Sequence, residues 1–170
     1  LENKNVALIG YGNIGQEIAN RLSVFGVNIL AVNTQKKDKD NSDITYYSIE
    51  DLDVVLKQSD IVVVLLPYKE NTHHLFNYKT FNEMKTDSVF INVSRGKVVN
   101  ENELIDILNS NLEMYACLDV FEKEPLPLES PLWEHPRIKI TPHNSFVSEL
   151  NQEKLHKVIT ENISVLKING

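Results

Sequence analysis

The chain holds one cysteine, Cys117, in 170 residues, so no disulfide can close within it. That thiol lies in the apolar stretch Tyr115 to Leu118 with no base beside it, which reads as a small buried hydrophobe rather than a nucleophile. Scarce cysteine fits a reducing compartment, and the expected location is the cytoplasm. Long hydrophobic runs are also missing. The longest, Ile61 to Leu66, falls far short of the ~18–20 residues a membrane helix requires, and no membrane partner is expected. The first residues, Leu-Glu-Asn-Lys-Asn, offer no basic segment leading into an apolar one, so no secretory signal is expected, and Leu1 in place of methionine leads to the expectation of a processed or excised chain. Basic charge is in deficit: 17 Lys+Arg against 24 Asp+Glu give a net charge of -7, a poor match to a phosphate backbone, and no nucleic-acid partner is expected. His73 and His74 are adjacent, no carboxylate–histidine ligand spacing occurs, and no metal site is expected. Internal repeats, low-complexity tracts and linkers are absent.

What is present is the composition of an ordinary globular domain, 42% hydrophobic and 24% charged, at the length of one domain. Short β-branched runs alternate with helical patterns, the mark of a parallel α/β sheet. Val6–Ile9, Val27–Val32, Ile61–Leu66, Ser88–Val93, Tyr115–Leu118 and Ile138–Ile140 read as strands. Ile14, Ile18, Ala19, Leu22 and Phe25 share one helical face, closed by Gly26. Ser48 and Asp51 open a short helix through Gln58, a further helix is expected near Lys79–Met84, and Asn100-x-x-Glu103 resembles a capping box for a helix through Leu108. Asn33 to Asp43 reads as a polar surface loop. Leu155, Val158, Ile159 and Leu166 recur at helical spacing in the last stretch, where Glu153 and Lys157 form a supportive i, i+4 pair. The predicted fold is α/β: a doubly wound, mostly parallel sheet of Rossmann type with helices on both faces.

The first strand runs into Gly10-Tyr11-Gly12-Asn13-Ile14-Gly15 and then into the first helix. In that setting the G-x-G-x-x-G spacing carries a mechanism. Gly10 permits the tight turn, Gly12 lets a pyrophosphate approach the backbone, and Gly15 allows close helix–strand packing, with the anion at the helix N-terminus near Asn13 and Ile14. The ribose position, about 20 residues further on, is normally Asp or Glu. Here it is Asn33, followed by Thr34 and, shortly after, Lys36 and Lys37. An amide can bond a ribose hydroxyl without repelling a 2′-phosphate, and two ammonium groups can attract one. The expected cofactor is therefore NAD or NADP.

Three further segments join the glycine turn: Ile91-Asn92-Val93-Ser94-Arg95-Gly96, Leu118-Asp119 through Glu124-Pro125, and Thr141-Pro142-His143. With the loop from Leu65 through Pro67 to Thr72, they resemble the cofactor domain of the D-isomer-specific 2-hydroxyacid dehydrogenases over practically the whole chain. The resemblance implies that residues 1–170 form a dinucleotide-binding domain, that a separate substrate domain is supplied by sequence outside them, and that the domain pairs into a homodimer. It also implies that Asp119, Val93 and Ser94 line the nicotinamide side, that Pro67 and Thr72 border the cofactor cleft, and that Glu124 partners the histidine of the Thr-Pro-His segment.

The chemistry stands beside the resemblance. Reducing a 2-keto acid to a 2-hydroxy acid needs a hydride donor, a cation for the carboxylate and an acid for the carbonyl oxygen. Arg95 offers a planar, permanently charged fork at a strand end, with Arg137 as the nearest rival. His143, also at a strand end, carries an imidazole, the side chain whose unperturbed pKa lies nearest neutrality, which can give or take the carbonyl proton, and a carboxylate beside it favours the imidazolium. His73, His74, His135 and His156 lack such a setting. Asn144-Ser145-Phe146 departs from the small, glycine-containing tail common after the family's histidine, and Phe146 bears on the size of the pocket. The leading function is hydride transfer between NAD(P)H and a small 2-keto or 2-hydroxy acid. The alternatives are a non-enzymatic dinucleotide-binding redox sensor or co-regulator on the same fold, and another Rossmann enzyme such as an amino-acid dehydrogenase, which leaves the Asp119–Pro125 and Thr141–His143 motifs unexplained.

Overall fold

The computed structural model describes residues 1–34, 44–144 and 151–168, with side chains of the last helix to 163. Lys36, Lys37, Ser145 and Phe146, and the side chain of Leu166, lie outside the described residues. Seven strands form one sheet: β1 (Asn5–Ile9), β2 (Asn28–Asn33), β3 (Ile44–Ser48), β4 (Ile61–Val64), β5 (Val89–Asn92), β6 (Tyr115–Leu118) and β7 (Ile138–Ile140). Their order is β3-β2-β1-β4-β5-β6-β7, and every pairing is parallel. The chain winds outward from β1 to β3, returns to the other side of β1 at β4, and winds outward again to β7.

Among the described residues there are five α-helices: α1 (Asn13–Leu22), α2 (Leu52–Gln58), α3 (Tyr78–Phe81), α4 (Glu101–Ser110) and α5 (Asn151–Ile168). Alternation along β1 sorts them between two faces. Ala7 and Ile9 pack with Val55 and Leu56 of α2 and Leu104 and Leu108 of α4, around a cluster of Phe76, Phe81 and Phe90 with ring centroids 5.0–6.0 Å apart. Val6 and Leu8 face Ala19 of α1 on the other side. Strands covered on both faces must be apolar throughout, which is why the central runs show no polar alternation. On α1's side the cover stops short of β6: Tyr115 is 50% exposed, and Cys117 is half-buried.

The structure departs from the sequence reading at several places. Residues 44–48 form an edge strand that composition does not announce, because Thr45 is exposed, Tyr46 and Tyr47 are only half covered, and the run lacks an apolar–polar alternation. Strand β2 is shifted by one residue, and β4 ends at Val64, ahead of Pro67. The first helix stops at Leu22, followed by a 3-10 turn (Ser23–Phe25) that Gly26 closes in the left-handed region at φ 65°. Ile14, on the first turn of α1, and Phe25, on the 3-10 turn beyond its end, are exposed rather than core-facing. Ser48 and Asp51 do form a reciprocal capping box, but on a 3-10 turn (Ile49–Asp51) that precedes α2. The helix expected near Lys79–Met84 is the single turn of α3. Asn100 caps α4 by accepting from Glu103 N–H at 3.2 Å, while its own amide donates to the Glu103 carboxylate; its backbone N–H goes to Phe76 C=O instead. On α5, Leu155, Val158 and Ile159 are exposed, and Lys157 approaches Glu161 at 3.9 Å rather than Glu153. No helix among the described residues is long and apolar enough to cross a membrane.

Asp60 ties the N-terminal ends of the central strands. Its carboxylate accepts from Asn5 N–H at 2.8 Å, Lys85 Nζ at 3.1 Å and Lys4 Nζ at 3.2 Å. Burial pushes its pKa up, but the Asn5 bond and the two ammonium groups outweigh it and hold the carboxyl below the ordinary 3.8. A depressed carboxyl stabilises the fold above its unfolded pKa and loses that contribution as pH falls through the folded value. Asp60→Ala is expected to cost ~1–3 kcal/mol in urea unfolding at pH 7. As pH falls below the ordinary 3.8 the difference from the parent should shrink, because the parent then loses the charge that the variant never had.

Candidate active site

Because all strands run one way, each of their C-terminal ends opens on the same edge of the sheet, and the winding reverses between β1 and β4. That switch point is where open α/β sheets take ligands. The turn after β1 is pressed against β4 there. Gly10 sits at φ 103°, and a Cβ on it would stand 2.9 Å from the Leu65 carbonyl carbon, so both the backbone angle and the space demand glycine. Gly15 also packs closely, its Cβ position lying 3.2 Å from Gly10 O and from the Tyr11 ring. Gly12 is different: nothing lies within 4 Å of a Cβ there, although it forms the N-cap of α1. No side chain caps that helix, so its first N–H groups, at Asn13, Ile14 and Gly15, are presented beside open space. This is the cradle a pyrophosphate fits.

The remaining predicted residues fall along the same edge. Asn33 ends β2 and donates its amide to Tyr11 C=O at 3.0 Å, which fixes the glycine turn and leaves Oδ1 as the acceptor for a hydroxyl. Thr34 beside it is exposed. Pro67 is exposed after β4, and the Thr72 hydroxyl lies 3.0 Å from Pro67 C=O and accepts from Lys69 N–H, so Thr72 shapes the cleft border by closing its own loop. After β5, Val93 is exposed toward solvent, whereas Ser94 is buried with its hydroxyl donating to Asn92 Oδ1 at 2.8 Å. Asp119 follows β6, buried, and accepts from the Thr141 hydroxyl after β7.

Arg95 caps the turn after β5 and is exposed. Its rival is accounted for, since Arg137 donates to Leu108 C=O near the end of α4. His143 Nδ1 lies 2.7 Å from Glu124 Oε2, and the other carboxylate oxygen accepts from Phe121 N–H at 3.0 Å. A carboxylate only accepts, so Nδ1 carries the proton and Nε2 is the atom left to exchange one. Burial raises the Glu124 pKa, but the Phe121 bond, His143 and Arg95 outweigh it and hold the carboxyl below 4.5, so it stays charged. Arg95, Glu124 and His143 share a recess of about 230 Å³ with Tyr68 and Lys97, and an apolar cavity of about 480 Å³ between Trp133, Pro142 and His143 adjoins it. A larger cavity, about 610 Å³, lies at the opposite edge among amides such as Asn20, Asn28 and Gln58, with no acid, imidazole or cation to do chemistry.

Sequence reasoning missed Asn92 and Thr141. Asn92 is buried, donates to Arg95 C=O and accepts from Ser94 N–H, so it builds the turn that carries Arg95. An asparagine ending an apolar strand was the available signal, because a buried amide must find partners. Tyr68 and Lys97 had no signal beyond adjacency to the motifs. Among the described residues no group of three or more His, Cys, Asp or Glu side chains could hold a metal ion.

A parallel sheet with an uncapped glycine turn at its switch point defines a Rossmann-type dinucleotide-binding domain. Residues 1–145 match the family described as D-isomer specific 2-hydroxyacid dehydrogenase, NAD binding domain, and the chain belongs to that family. The glyoxylate/hydroxypyruvate reductase B of Escherichia fergusonii is 38% identical over 144 residues, covering 84% of this chain and 44% of the relative. A probable 2-hydroxyacid dehydrogenase from Rhizobium etli, solved with NADP, HEPES and L(+)-tartaric acid, superposes with a TM-score of 0.86 at 31% identity over 98% of this chain and 53% of its own. An NADPH-dependent glyoxylate/hydroxypyruvate reductase from Sinorhizobium meliloti, solved with NADP and sulfate, gives the same TM-score and coverage at 28% identity. The chain thus spans about half the length of the relatives it matches.

The free space at Gly12 separates folding from binding. Gly12→Ala is expected to melt within about 4 °C of the parent, since the added methyl meets no neighbour and alanine at an N-cap costs only ~1 kcal/mol. Its affinity for the reduced dinucleotide should fall at least ~10-fold in a fluorescence titration, because the added methyl occupies the approach to the helix N-terminus. A melt lowered as far as that of Gly10→Ala would show that Gly12 is a folding residue instead.

Proposed function

We propose that this chain is the cofactor half of an enzyme that interconverts small 2-keto acids and D-2-hydroxy acids, with NADP accepted alongside NAD. The observation that carries the reading is the His143–Glu124 contact of 2.7 Å in one recess with Arg95. Glyoxylate or hydroxypyruvate, the substrates in the names of the relatives, fit the size of that recess as small 2-keto acids.

Each residue has a distinct task. Arg95 binds the substrate carboxylate through two parallel N–H bonds, which fixes the keto carbon in the recess. Val93, Ser94 and Asp119 would hold the nicotinamide, which would supply the hydride. His143 delivers the Nε2 proton to the carbonyl oxygen during reduction and takes it back during oxidation. Glu124 holds the ring through Nδ1 and stabilises the imidazolium, so that the acid is present when needed. Gly10, Gly12, Gly15, Asn13 and Ile14 seat the pyrophosphate, Asn33 and Thr34 the ribose, and Pro67 and Thr72 the border of the cleft.

A second domain is part of this proposal. The relatives are about twice as long, the sheet face at Tyr115 and Cys117 is half open, and Leu155, Val158, Ile159 and Ile163 of α5 are exposed. Hydride transfer requires the donor and acceptor to be held at ~3–3.5 Å away from water, and one wall cannot provide that. Leu128 and Trp133, exposed on the proline-rich loop before β7, support a homodimer, and the unpaired Cys117 supports a cytoplasmic location.

The test is a panel of 2-keto acids with NADPH and NADH on the protein carrying this chain together with its second domain. His143→Asn is expected to lower kcat ~10²–10⁴-fold with little change in dinucleotide affinity. A loss below tenfold in a chemistry-limited assay removes His143 as the acid. Dinucleotide binding without turnover on any keto acid would instead favour a redox sensor. Asn33→Asp should shift the ratio of NADPH to NADH affinity toward NADH, because a carboxylate repels the 2′-phosphate and still accepts from a hydroxyl. An unmoved ratio would displace Asn33 from the ribose site.

A further inference from the structure

Two strand-end turns must hold a fixed relation for Arg95 and His143 to act on one molecule. Arg95 lies after β5, and the loop after β6 carries Glu124, the partner of His143. These segments are in direct backbone contact. A Cβ on Gly96 would stand 1.8 Å from the Phe121 carbonyl carbon and 2.4 Å from Glu122 N, so the turn after Arg95 rests on the backbone of the second loop. Beside this contact the first residue of α4 and the second loop exchange hydrogen bonds. Glu101 N–H donates to Glu122 Oε1 at 3.0 Å, and Glu122 N–H donates to Glu101 Oε1 at 2.6 Å. His74 places Nε2 3.3 Å from Glu122 Oε2, close enough for attraction but off line for a hydrogen bond.

We propose that Glu101 and Glu122 are positioning residues: their reciprocal clasp, with the Gly96 contact, sets the second loop so that Phe121 N–H and Glu124 hold His143 opposite Arg95. Glu122 borders the recess, but among the described residues the two glutamates bond to each other's backbone and Glu122 approaches His74, not Arg95 or His143. Their influence runs from Glu122 through its neighbour Phe121, whose N–H fixes one oxygen of Glu124, to the other oxygen on His143 Nδ1. The placement carries an electrostatic cost, because burial raises the Glu101 pKa and the charges of Glu122 and Glu124 raise it further. A neutral pair of apolar side chains would fill the space without that cost, but would leave both backbone N–H groups unpaired. The clasp therefore fixes geometry at the expense of charge.

The inference rests on the proposed roles of Arg95, Glu124 and His143, and its test needs no substrate. Long-range 1H–15N correlations of the His143 ring, measured on the neutral imidazole in the full chain, report which nitrogen is protonated. The parent is expected to favour Nδ1–H, and Glu124→Ala to lose that preference. Glu101→Gln, which keeps an acceptor for Glu122 N–H and removes the charge, should retain the parent pattern. Glu101→Ala should move to the Glu124→Ala pattern while the fold, followed by far-UV circular dichroism, persists. If Glu101→Ala does not fold, Glu122→Ala against Glu122→Gln makes the same comparison from the other side. A parent tautomer unchanged in the alanine variants overturns the proposal, as does an equal displacement by Gln and Ala, which would mean charge alone. Keto acids that fail to turn over would refute the proposed reaction but would leave this spectroscopic pattern in place.

Discussion

The parallel direction of the seven strands is the constraint from which the site follows. Parallel pairing sends every connection back across a face of the sheet, so all strand ends of one kind share an edge. Residues distant in sequence, such as Asn33, Arg95, Asp119 and His143, arrive on that edge because each directly follows or ends a strand. The arrangement demands apolar strands sheltered on both sides, which α1, α2 and α4 provide for β1, β2 and β4. Where shelter thins, beyond β5, tyrosine, cysteine and lysine replace the aliphatic side chains at Tyr115, Cys117 and Lys139.

Around the recess, two carboxyl groups on neighbouring segments are pushed in opposite directions. Glu101 has burial and two acidic neighbours, and proton binding becomes easier. Glu124 is also desolvated, but a backbone N–H, an imidazole and a guanidinium surround it, and ionisation wins. Similar side chains so acquire different electrical character from their surroundings alone.

Much of this was legible from sequence because strand ends and motifs coincide. The glycine spacing after Val6–Ile9 located the switch point, and Arg95 and His143 could be placed from the strands that precede them. What escaped the sequence was pairing that leaves no compositional trace. Strand β3 is an edge on which Thr45 is exposed and Tyr46 and Tyr47 are half-buried, so no alternation results. The Ser94 hydroxyl turns inward to Asn92, and Thr72 bonds within its own loop, because the backbone's path decides which way a short polar side chain points. The carboxylates of Glu101 and Glu122 look like solvated charges in the sequence, and only the approach of Gly96 to Phe121 brings their partners within reach. Exposed apolar residues at the end turns of α1 and along α5 show the same limit from the other side. Periodicity identifies a helix but not which neighbour, if any, covers it.

His143 adopts φ 49°, in the left-handed region that asparagine, aspartate and histidine enter more readily than other side chains. This backbone setting narrows the routes by which such a domain can lose its chemistry and keep its shape. An alanine or a β-branched residue at this corner would strain the turn after β7 as well as delete the imidazole, so the two losses would come together. Asparagine or glycine would remove only the ring. Loss of the proposed acid with the dinucleotide fold retained therefore has a small set of low-strain doorways at this residue, set by a torsion angle rather than by the reaction.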